Sequence, residues 1–190
     1  MKNQELLIHD GGMSRQLIQH GAPFRQPEWS ALALMECPES VTPAHSDFIN
    51  AGADVITTNS YAVVPYHIGQ DVFDERGSEL LKLAGQSAQQ AAQLSSRKIR
   101  VAAGIPPMFG SYRPNDFDPK RAVGMLTIFR ENLLPYSDLI LAETFSSVVE
   151  ISTFLDVFGD CGKPIWVTIS ITSAPAPRRP AKHGSEVSFW

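Results

Sequence analysis

The sequence predicts an α/β fold built on a parallel sheet, because short apolar runs alternate with amphipathic helical segments along most of the chain. These runs are bounded by glycine, proline or polar residues, as strands usually are. They show little polar–apolar alternation, which is typical of strands that helices cover on their faces. Right-handed crossovers follow from this order, and two architectures stay open: an open doubly wound sheet or a (β/α) barrel.

Five strands are predicted, and most end at polar or glycine residues. In chain order they cover residues 5–9, 53–58, 99–104, 138–142 and 164–170. A G-x-G-x-x-G motif after the first strand would indicate a dinucleotide-binding fold. The sequence has Asp10-Gly11-Gly12-Met13 there instead, which weakens that alternative.

Five helices are predicted from apolar residues spaced three and four apart. They cover residues 13–20, 40–51, 74–95, 119–134 and 147–158. Gly21 and Gly52 act as stop signals, and Ser147 with Glu150 fits a capping box. The predicted buried faces include Val123, Leu126, Phe129 and Leu133 on the fourth helix, and Val148, Ile151, Leu155 and Phe158 on the fifth.

Composition limits the classes of protein that fit. With 190 residues, the chain is long enough for one domain and a fragment of another at most. Its net charge of −4 argues against a nucleic-acid binder, and no apolar run approaches the length of a membrane helix. The two cysteines, Cys37 and Cys161, lie far apart in sequence and form neither a disulfide framework nor a CxxC metal pair. We therefore expect a cytoplasmic protein with no membrane or nucleic-acid partner.

The last twenty residues break the pattern. Residues 171–190 contain Pro175, Pro177 and Pro180 and are locally basic, which predicts an irregular tail. A complete barrel needs about 250 residues. Our hypothesis is a truncated chain, with a partial barrel domain of about five βα units over residues 1–170 followed by this tail. Two origins stay open: a natural truncation or a frame change near residue 171.

Two carboxylates are predicted at one rim of the sheet. Asp10 and Glu143 each follow an apolar strand, and the carboxyl ends of parallel strands meet at the same edge. A carboxylate in such a place is costly unless a cation meets it. Because successive N–H groups at Gly11 and Gly12 can hold an anion, the pattern suits an amino-acid zwitterion better than a phosphate ester.

Simpler interpretations stay open for each residue. Asp10-Gly11-Gly12 is consistent with a plain tight turn, and Glu143 with an interior carboxylate held by a lysine or arginine. Asn59 suits a cap of the turn after its strand, and Trp29 and Tyr61 suit packing. The histidines show no metal-ligand spacing. A Schiff-base lyase is disfavoured, because no predicted strand ends in lysine.

Taken together, these segments resemble the homocysteine S-methyltransferase family over residues 5–170. The similarity rests on residues 10–13, 29–31, 38–39, 48–61, 104–107, 112–114 and 139–145, which occur in the family's order. The segments Trp29-Ser30-Ala31 and 110–114 are most similar to the branch that uses S-methylmethionine or S-adenosylmethionine as methyl donor.

The resemblance implies a (β/α)₈ TIM barrel that moves a methyl group from a sulfonium donor to the zinc-bound thiol of homocysteine and so makes methionine. Zinc would deprotonate that thiol at neutral pH. Glu143 would hold the substrate's amino group. The implied substrate-binding residues are Asp10, Gly11, Gly12, Asn59, Tyr61 and Glu143.

The resemblance also implies three zinc-binding cysteines, one after the sixth strand and an adjacent pair near the C-terminus. Cys37 and Cys161 match neither position, so we assign no metal ligand and no catalytic residue. We expect this chain to be inactive alone and to self-associate through unpaired sheet edges. The alternative function is a non-catalytic fragment that binds an amino acid or a partner.

Overall fold

The computed structural model describes residues 6–171 and contains one parallel sheet. Its strands are Val55–Thr57 (β1), Arg100–Ile105 (β2), Leu139–Phe145 (β3) and Ile165–Ile169 (β4). They pair in chain order, each parallel to the next. An open doubly wound sheet would reverse its strand order at a switch point. The observed order is that of a (β/α) barrel, and it confirms four of the predicted strands.

The first predicted strand, residues 5–9, is reduced to one parallel bridge between His9 and Val55. Ile8 O accepts hydrogen bonds from the N–H groups of Asp54 and Val55, at 2.7 and 3.1 Å. The Asp54 carboxylate in turn accepts the N–H of Ile8, so this N–H is not available for hydrogen bonds between strands. Residues 8–10 therefore occupy a strand position beside β1, and the expectation of a full strand there is wrong within the described residues.

Seven α-helices occur between residues 6 and 171. Their bounds are Met13–Gln19 (α1), Ala31–Glu36 (α2), Val41–Asn50 (α3), Pro65–Ile68 (α4), Gln70–Leu94 (α5), Pro119–Leu133 (α6) and Val148–Phe158 (α7). The sequence did not predict α2 or α4. The first four residues of α2 are all buried and the segment has no polar face, so it carries no periodic signal. Four residues in α4 are too few to show one.

The outer face of the sheet is covered by helices that pack in chain order, α3 against α5, α5 against α6 and α6 against α7. Phe129, Phe154 and Phe158 are among the largest fully buried side chains of this layer. The rings of Phe154 and Phe158 stack with centroids 4.9 Å apart. Burial of each such ring contributes about 2–3 kcal/mol to folding.

The predicted buried faces of α6 and α7 are partly wrong. Val123, Val148 and Leu155 are exposed, by 44%, 80% and 42% respectively. Helix α7 instead buries Phe154 and Val157 together with Phe158. This helix is apolar around most of its circumference, so residue spacing alone did not determine which side faces the sheet.

The capping box at the start of α7 is confirmed. The Ser147 hydroxyl accepts the N–H of Glu150 at 3.1 Å, and the Glu150 carboxylate accepts the N–H groups of Ser147 and Ser146. We expect Ser147→Ala to lower the free energy of unfolding by about 1 kcal/mol, because it leaves a helix donor unpaired. Urea denaturation checks this. Ser152→Ala, on an exposed turn of the same helix, should change stability by less than about 0.5 kcal/mol.

The inner face of the sheet carries a small apolar cluster of Val55, Ala102, Leu139 and Leu141, with Leu7 and Trp166 packed against it. The outer edge of β4 is unpaired within the described residues, and Ile169 is 55% exposed there. Self-association through this edge stays a prediction. None of the described helices is both long and apolar enough to cross a membrane. The predicted tail lies outside the described residues from position 172 onward.

Candidate functional site

The six predicted site residues line a single cavity of about 490 Å³ where the strand ends meet. We call it the rim cavity. Its lining residues are His9, Asp10, Gly11, Gly12, Met13, Ser14, Arg15, Trp29, Ser30, Thr57, Thr58, Asn59, Tyr61 and Glu143. Residues 8–10, which we call the first segment, contribute together with the N-terminus of α1 and the ends of β1 and β3. This is expected for the carboxyl ends of strands in a barrel.

Asp10 joins the first segment to β1. Its side chain is only 4% exposed and accepts the N–H of Thr57 at 2.7 Å and the Thr57 hydroxyl at 3.2 Å. Burial raises the pKa of Asp10, and these hydrogen bonds with the adjacent His9 oppose the rise. The carboxylate is therefore held in place by Thr57 in the wall of the rim cavity.

Glu143 lies near the end of β3, just before an irregularity in the strand. The register with β4 shifts between Ala142 and Phe145. Thr144 has a φ of 63°, a left-handed conformation that is strained for a β-branched residue. Its N–H donates to the hydroxyl of Thr168 at 2.9 Å rather than to a ladder carbonyl. Strain of this kind, about 1–3 kcal/mol, is often found beside functional side chains.

Glu143 has no hydrogen-bond or ion-pair partner among residues 6–171. Burial, together with a smaller repulsion from the nearby Asp10, raises the pKa of Glu143 to about 7. The interpretation that a lysine or arginine of the barrel interior holds Glu143 finds no support in this part of the chain. Two acidic groups thus face one cavity, and the second lacks a partner that would favour its charge.

Asn59 contributes an unpaired acceptor. The residue is 3% exposed, and its amide Nδ2 donates to Ser30 O at 3.0 Å. Its Oδ1 is buried and has no partner within the described residues. Asn59 therefore tethers the loop before α2 rather than capping its own turn. A buried acceptor without a donor is costly, so it favours a donor from a ligand.

Tyr61 connects the loops that follow β1 and β2. Its hydroxyl lies 2.5 Å from the Ser111 hydroxyl. Burial raises the pKa of Tyr61, so the phenol stays neutral near neutral pH. Trp29 lines the same cavity, with a φ of 48° and its ring 5.1 Å from that of His67. Both aromatic residues pack against neighbours and also line the rim cavity.

Gly11 and Gly12 form the open side of the rim cavity. A Cβ on Gly11 would lie 3.2 Å from the ring of Phe48, whereas Gly12 has open space around it. Neither N–H group donates a hydrogen bond within the part of the chain that the structure describes. The two groups are therefore free to meet an anionic group of a ligand.

Sequence reasoning missed several lining residues. Thr57 donates a hydrogen bond that orients the Asp10 carboxylate, and Arg15 places a positive charge in the first turn of α1. The only available signal for Thr57 and Thr58 was their position at the end of a predicted strand. Arg15 gave none, because an arginine on a short helix is ordinarily a surface residue.

The described residues do not fit a zinc site. No three His, Cys, Asp or Glu side chains between positions 6 and 171 lie close enough together to hold a metal ion. Cys37 follows α2 and contacts Glu39 with its thiol, and Cys161 lies before β4 with its sulfur 3.8 Å from Lys163 O. We therefore derive no reaction step through zinc.

Comparison with known proteins adds a family match. A family model described as homocysteine S-methyltransferase matches residues 7–189. Homocysteine S-methyltransferase 1 of Arabidopsis thaliana is 33% identical over 98 residues, which cover 51% of this chain and 30% of that protein. Betaine–homocysteine S-methyltransferase 1 of Xenopus tropicalis is 30% identical over 178 residues, or 88% of this chain and 41% of that protein.

The fold is also found among solved structures. The metallated homocysteine methyltransferase MmuM of Escherichia coli has a TM-score of 0.73 at 23% identity, over 87% of this chain and 63% of that one. At this identity the likeness supports the fold alone. This chain thus spans between 30% and 63% of the length of these three proteins.

Proposed function

Because the chain belongs to the homocysteine S-methyltransferase family, we propose that the rim cavity binds homocysteine as a zwitterion, for methyl transfer from a sulfonium donor. The observation that carries this proposal is the Glu143 carboxylate, which is half-buried near Asp10 and has no partner in the described part of the chain. The ammonium group of an amino acid would supply the missing positive charge and its hydrogen bonds.

Three further features support the orientation of the ligand. The unpaired Oδ1 of Asn59 would accept a second N–H of the ammonium group. On the other side, the free N–H groups of Gly11 and Gly12 would donate to the α-carboxylate. Arg15 lines the same cavity and forms no ion pair within residues 6–171, so it would add positive charge near that carboxylate.

The proposed reaction is an in-line displacement. The sulfur of homocysteine, as its thiolate, forms a bond to a methyl carbon of the donor while the bond from that carbon to the sulfonium sulfur breaks. The donor leaves as a neutral thioether, and homocysteine becomes methionine. In this scheme the described residues bind and orient the amino acid, which supplies part of the rate through positioning.

A sulfonium donor is proposed because the segments Trp29-Ser30-Ala31 and 110–114 resemble the sulfonium-using branch of the family. A quaternary ammonium donor such as betaine also carries a positive charge at its methylated atom, and one relative has betaine in its name. The assay must therefore compare S-methylmethionine, S-adenosylmethionine and betaine directly.

We expect reduced homocysteine to bind the 190-residue protein in isothermal titration calorimetry, and N-acetylhomocysteine to bind at least about 100-fold more weakly. Acetylation removes the positive charge but keeps the thiol and the carboxylate. Homocysteamine, which lacks the carboxylate, should lose about tenfold, because only neutral N–H donors and an exposed arginine meet that group.

Methionine formation is then followed with each donor, in the presence of added zinc. Binding with methyl transfer supports the full proposal. Binding without transfer from any donor is the result expected of this chain alone, because its described residues offer no zinc site. For this chain, that result favours the second candidate, an amino-acid-binding protein without catalysis. Equal affinity for homocysteine and its N-acetyl derivative would contradict both candidates, because neither would then use Glu143.

A further inference from the structure

The hydrogen-bond pattern between β1 and β2 changes where these strands reach the rim cavity. Thr58 N–H still donates to Ala102 O at 2.9 Å, as a parallel ladder requires. The Thr58 carbonyl then accepts the N–H of Ser60 at 2.7 Å instead of the N–H of Gly104. The backbone groups of Gly104 that face β1 are thus left without main-chain partners.

Two buried hydroxyls replace the missing ladder bonds. The N–H of Gly104 donates to Thr58 Oγ1 at 3.0 Å, and Ser60 Oγ donates to Gly104 O at 2.6 Å. The two hydroxyl oxygens lie 2.8 Å apart. Because the Ser60 proton is used on Gly104 O, Thr58 donates its own proton to Ser60. The three residues form a closed hydrogen-bonded ring, and both hydroxyl residues are buried.

Because Gly104 has no side chain, the Glu143 carboxylate can lie close to the Gly104 backbone. A Cβ on Gly104 would lie 2.8 Å from Thr57 Cγ2 and 3.0 Å from Glu143 Oε1. The first distance is shorter than real Cβ contacts, so any side chain at this position would displace its neighbours. The Glu143 carboxylate therefore lies against the bare Cα of Gly104, and its position depends on where that backbone is held.

The same ring also fixes Asn59, which stands between Thr58 and Ser60 in the chain. Its unpaired Oδ1 and the Glu143 carboxylate are the two groups assigned to the substrate ammonium. Other charged or titratable groups that line the cavity are His9 and Asp10 on the first segment, Arg15 on α1 and Tyr61 after β1. None of these groups bonds to the ring.

We propose that Thr58 and Ser60 are positioning residues, whose hydroxyls hold Gly104 so that Glu143 and Asn59 face one ammonium-sized site. This inference rests on the proposed function for its ligand, but the placement of Glu143 is independent of any ligand. An ordinary ladder with the Thr58 carbonyl would satisfy the strand equally well. The side-chain ring instead joins the loop that carries Asn59 to the strand beneath Glu143.

The test measures the titration of the Glu143 carboxyl carbon by ¹³C NMR without ligand, and homocysteine affinity by calorimetry. Thr58→Val keeps the side-chain shape and removes the hydroxyl, whereas Thr58→Ser keeps the hydroxyl. Thr127→Val is the matched control, since that hydroxyl bonds Val123 O on α6, outside the rim cavity. Gly104→Ala is paired with Gly124→Ala, where an added Cβ meets open space.

We expect Thr58→Val, Ser60→Ala and Gly104→Ala to move the Glu143 titration midpoint downward by about one pH unit, because a displaced carboxylate regains water. Each should weaken homocysteine binding about tenfold. Thr58→Ser should behave like the wild type, and both controls should leave the midpoint and the affinity unchanged.

An unchanged midpoint and affinity in folded Thr58→Val protein would overturn the inference, as would equal shifts in Thr58→Val and Thr58→Ser. If Thr58→Val lacks the wild-type circular dichroism spectrum, Ser60→Ala and Gly104→Ala decide in its place. Should the wild type bind no homocysteine, the proposed function fails, and the ligand-free titration still decides whether the ring positions Glu143.

Discussion

Glu143→Gln is expected to make the protein more stable at pH 8 while it removes most of its affinity for homocysteine. Burial raises the pKa of Glu143 to about 7, above its ordinary value of 4.5. Its contribution to stability is therefore fully present below pH 4.5 and is lost as the pH rises through 7. Glutamine carries no charge, so the variant should gain about 2 kcal/mol in the free energy of unfolding at pH 8.

The same substitution should weaken homocysteine binding by about 100-fold, because the ligand ammonium would then meet a neutral amide. In the wild type, only the ionised carboxylate pairs with the ligand. Affinity should therefore rise by up to about tenfold per pH unit as the pH approaches 7 from below, and level off above it. The Gln variant should lack this rise.

Urea denaturation and calorimetry between pH 5.5 and 8 measure both effects. Glu131→Gln, at an exposed position on α6, is the control and should change neither stability nor affinity. Wild-type affinity in Glu143→Gln would remove this residue from the site. Loss of stability at pH 8 would show that the carboxylate has a favourable partner in the fold.

The strand ends were the most predictable part of the site. Asp10 and Glu143 each follow an apolar run, and the geometry of parallel strands brings such ends together without knowledge of any contact. The helix bounds were also predictable where stop signals exist, since Gly21 and Gly52 have the left-handed φ expected of such residues. The barrel architecture itself needed the family resemblance, because strand–helix alternation fits two architectures.

The supporting contacts could not be predicted, since they join residues far apart in the chain. The hydroxyl of Thr57 meets Asp10 across 47 positions, and Ser60 meets Gly104 across 44. Both contacts depend on the register between strands, which the sequence pattern does not specify. The predicted buried faces of the helices were partly wrong for a related reason. Val148 and Phe154 are both apolar, and only packing in the folded protein determines that the first is exposed and the second buried.

His45→Leu is expected to stabilise the protein, by an amount that grows as the pH falls. The ring of His45 is fully buried in α3, and neither of its nitrogens has a partner within the described residues. Burial lowers the pKa of His45 from 6.5 to about 3. The unfolded chain therefore binds a proton below pH 6.5 that the folded chain does not, and stability is lost as the pH falls from 6.5 towards 3.

At pH 7 the leucine should add about 1–2 kcal/mol, because it removes a buried N–H without an acceptor. At pH 4 the gain in the free energy of unfolding should be larger by about 3 kcal/mol than at pH 7. The reason is that, at pH 4, His45 of the wild type is protonated in the unfolded chain but not in the folded one. Urea denaturation of both proteins between pH 4 and 7 gives the difference at each pH.

The wild-type curve alone cannot test either residue. Between pH 4.5 and 6.5 the Glu143 contribution falls with rising pH while the His45 contribution rises, and each changes by about 1.4 kcal/mol per pH unit. The two slopes nearly cancel, so these two residues together add little slope to the wild-type profile. They separate only in the single variants: relative to the wild type, Glu143→Gln should gain stability towards high pH and His45→Leu towards low pH. A constant difference across this range in either variant would contradict the buried, partner-free state of that side chain.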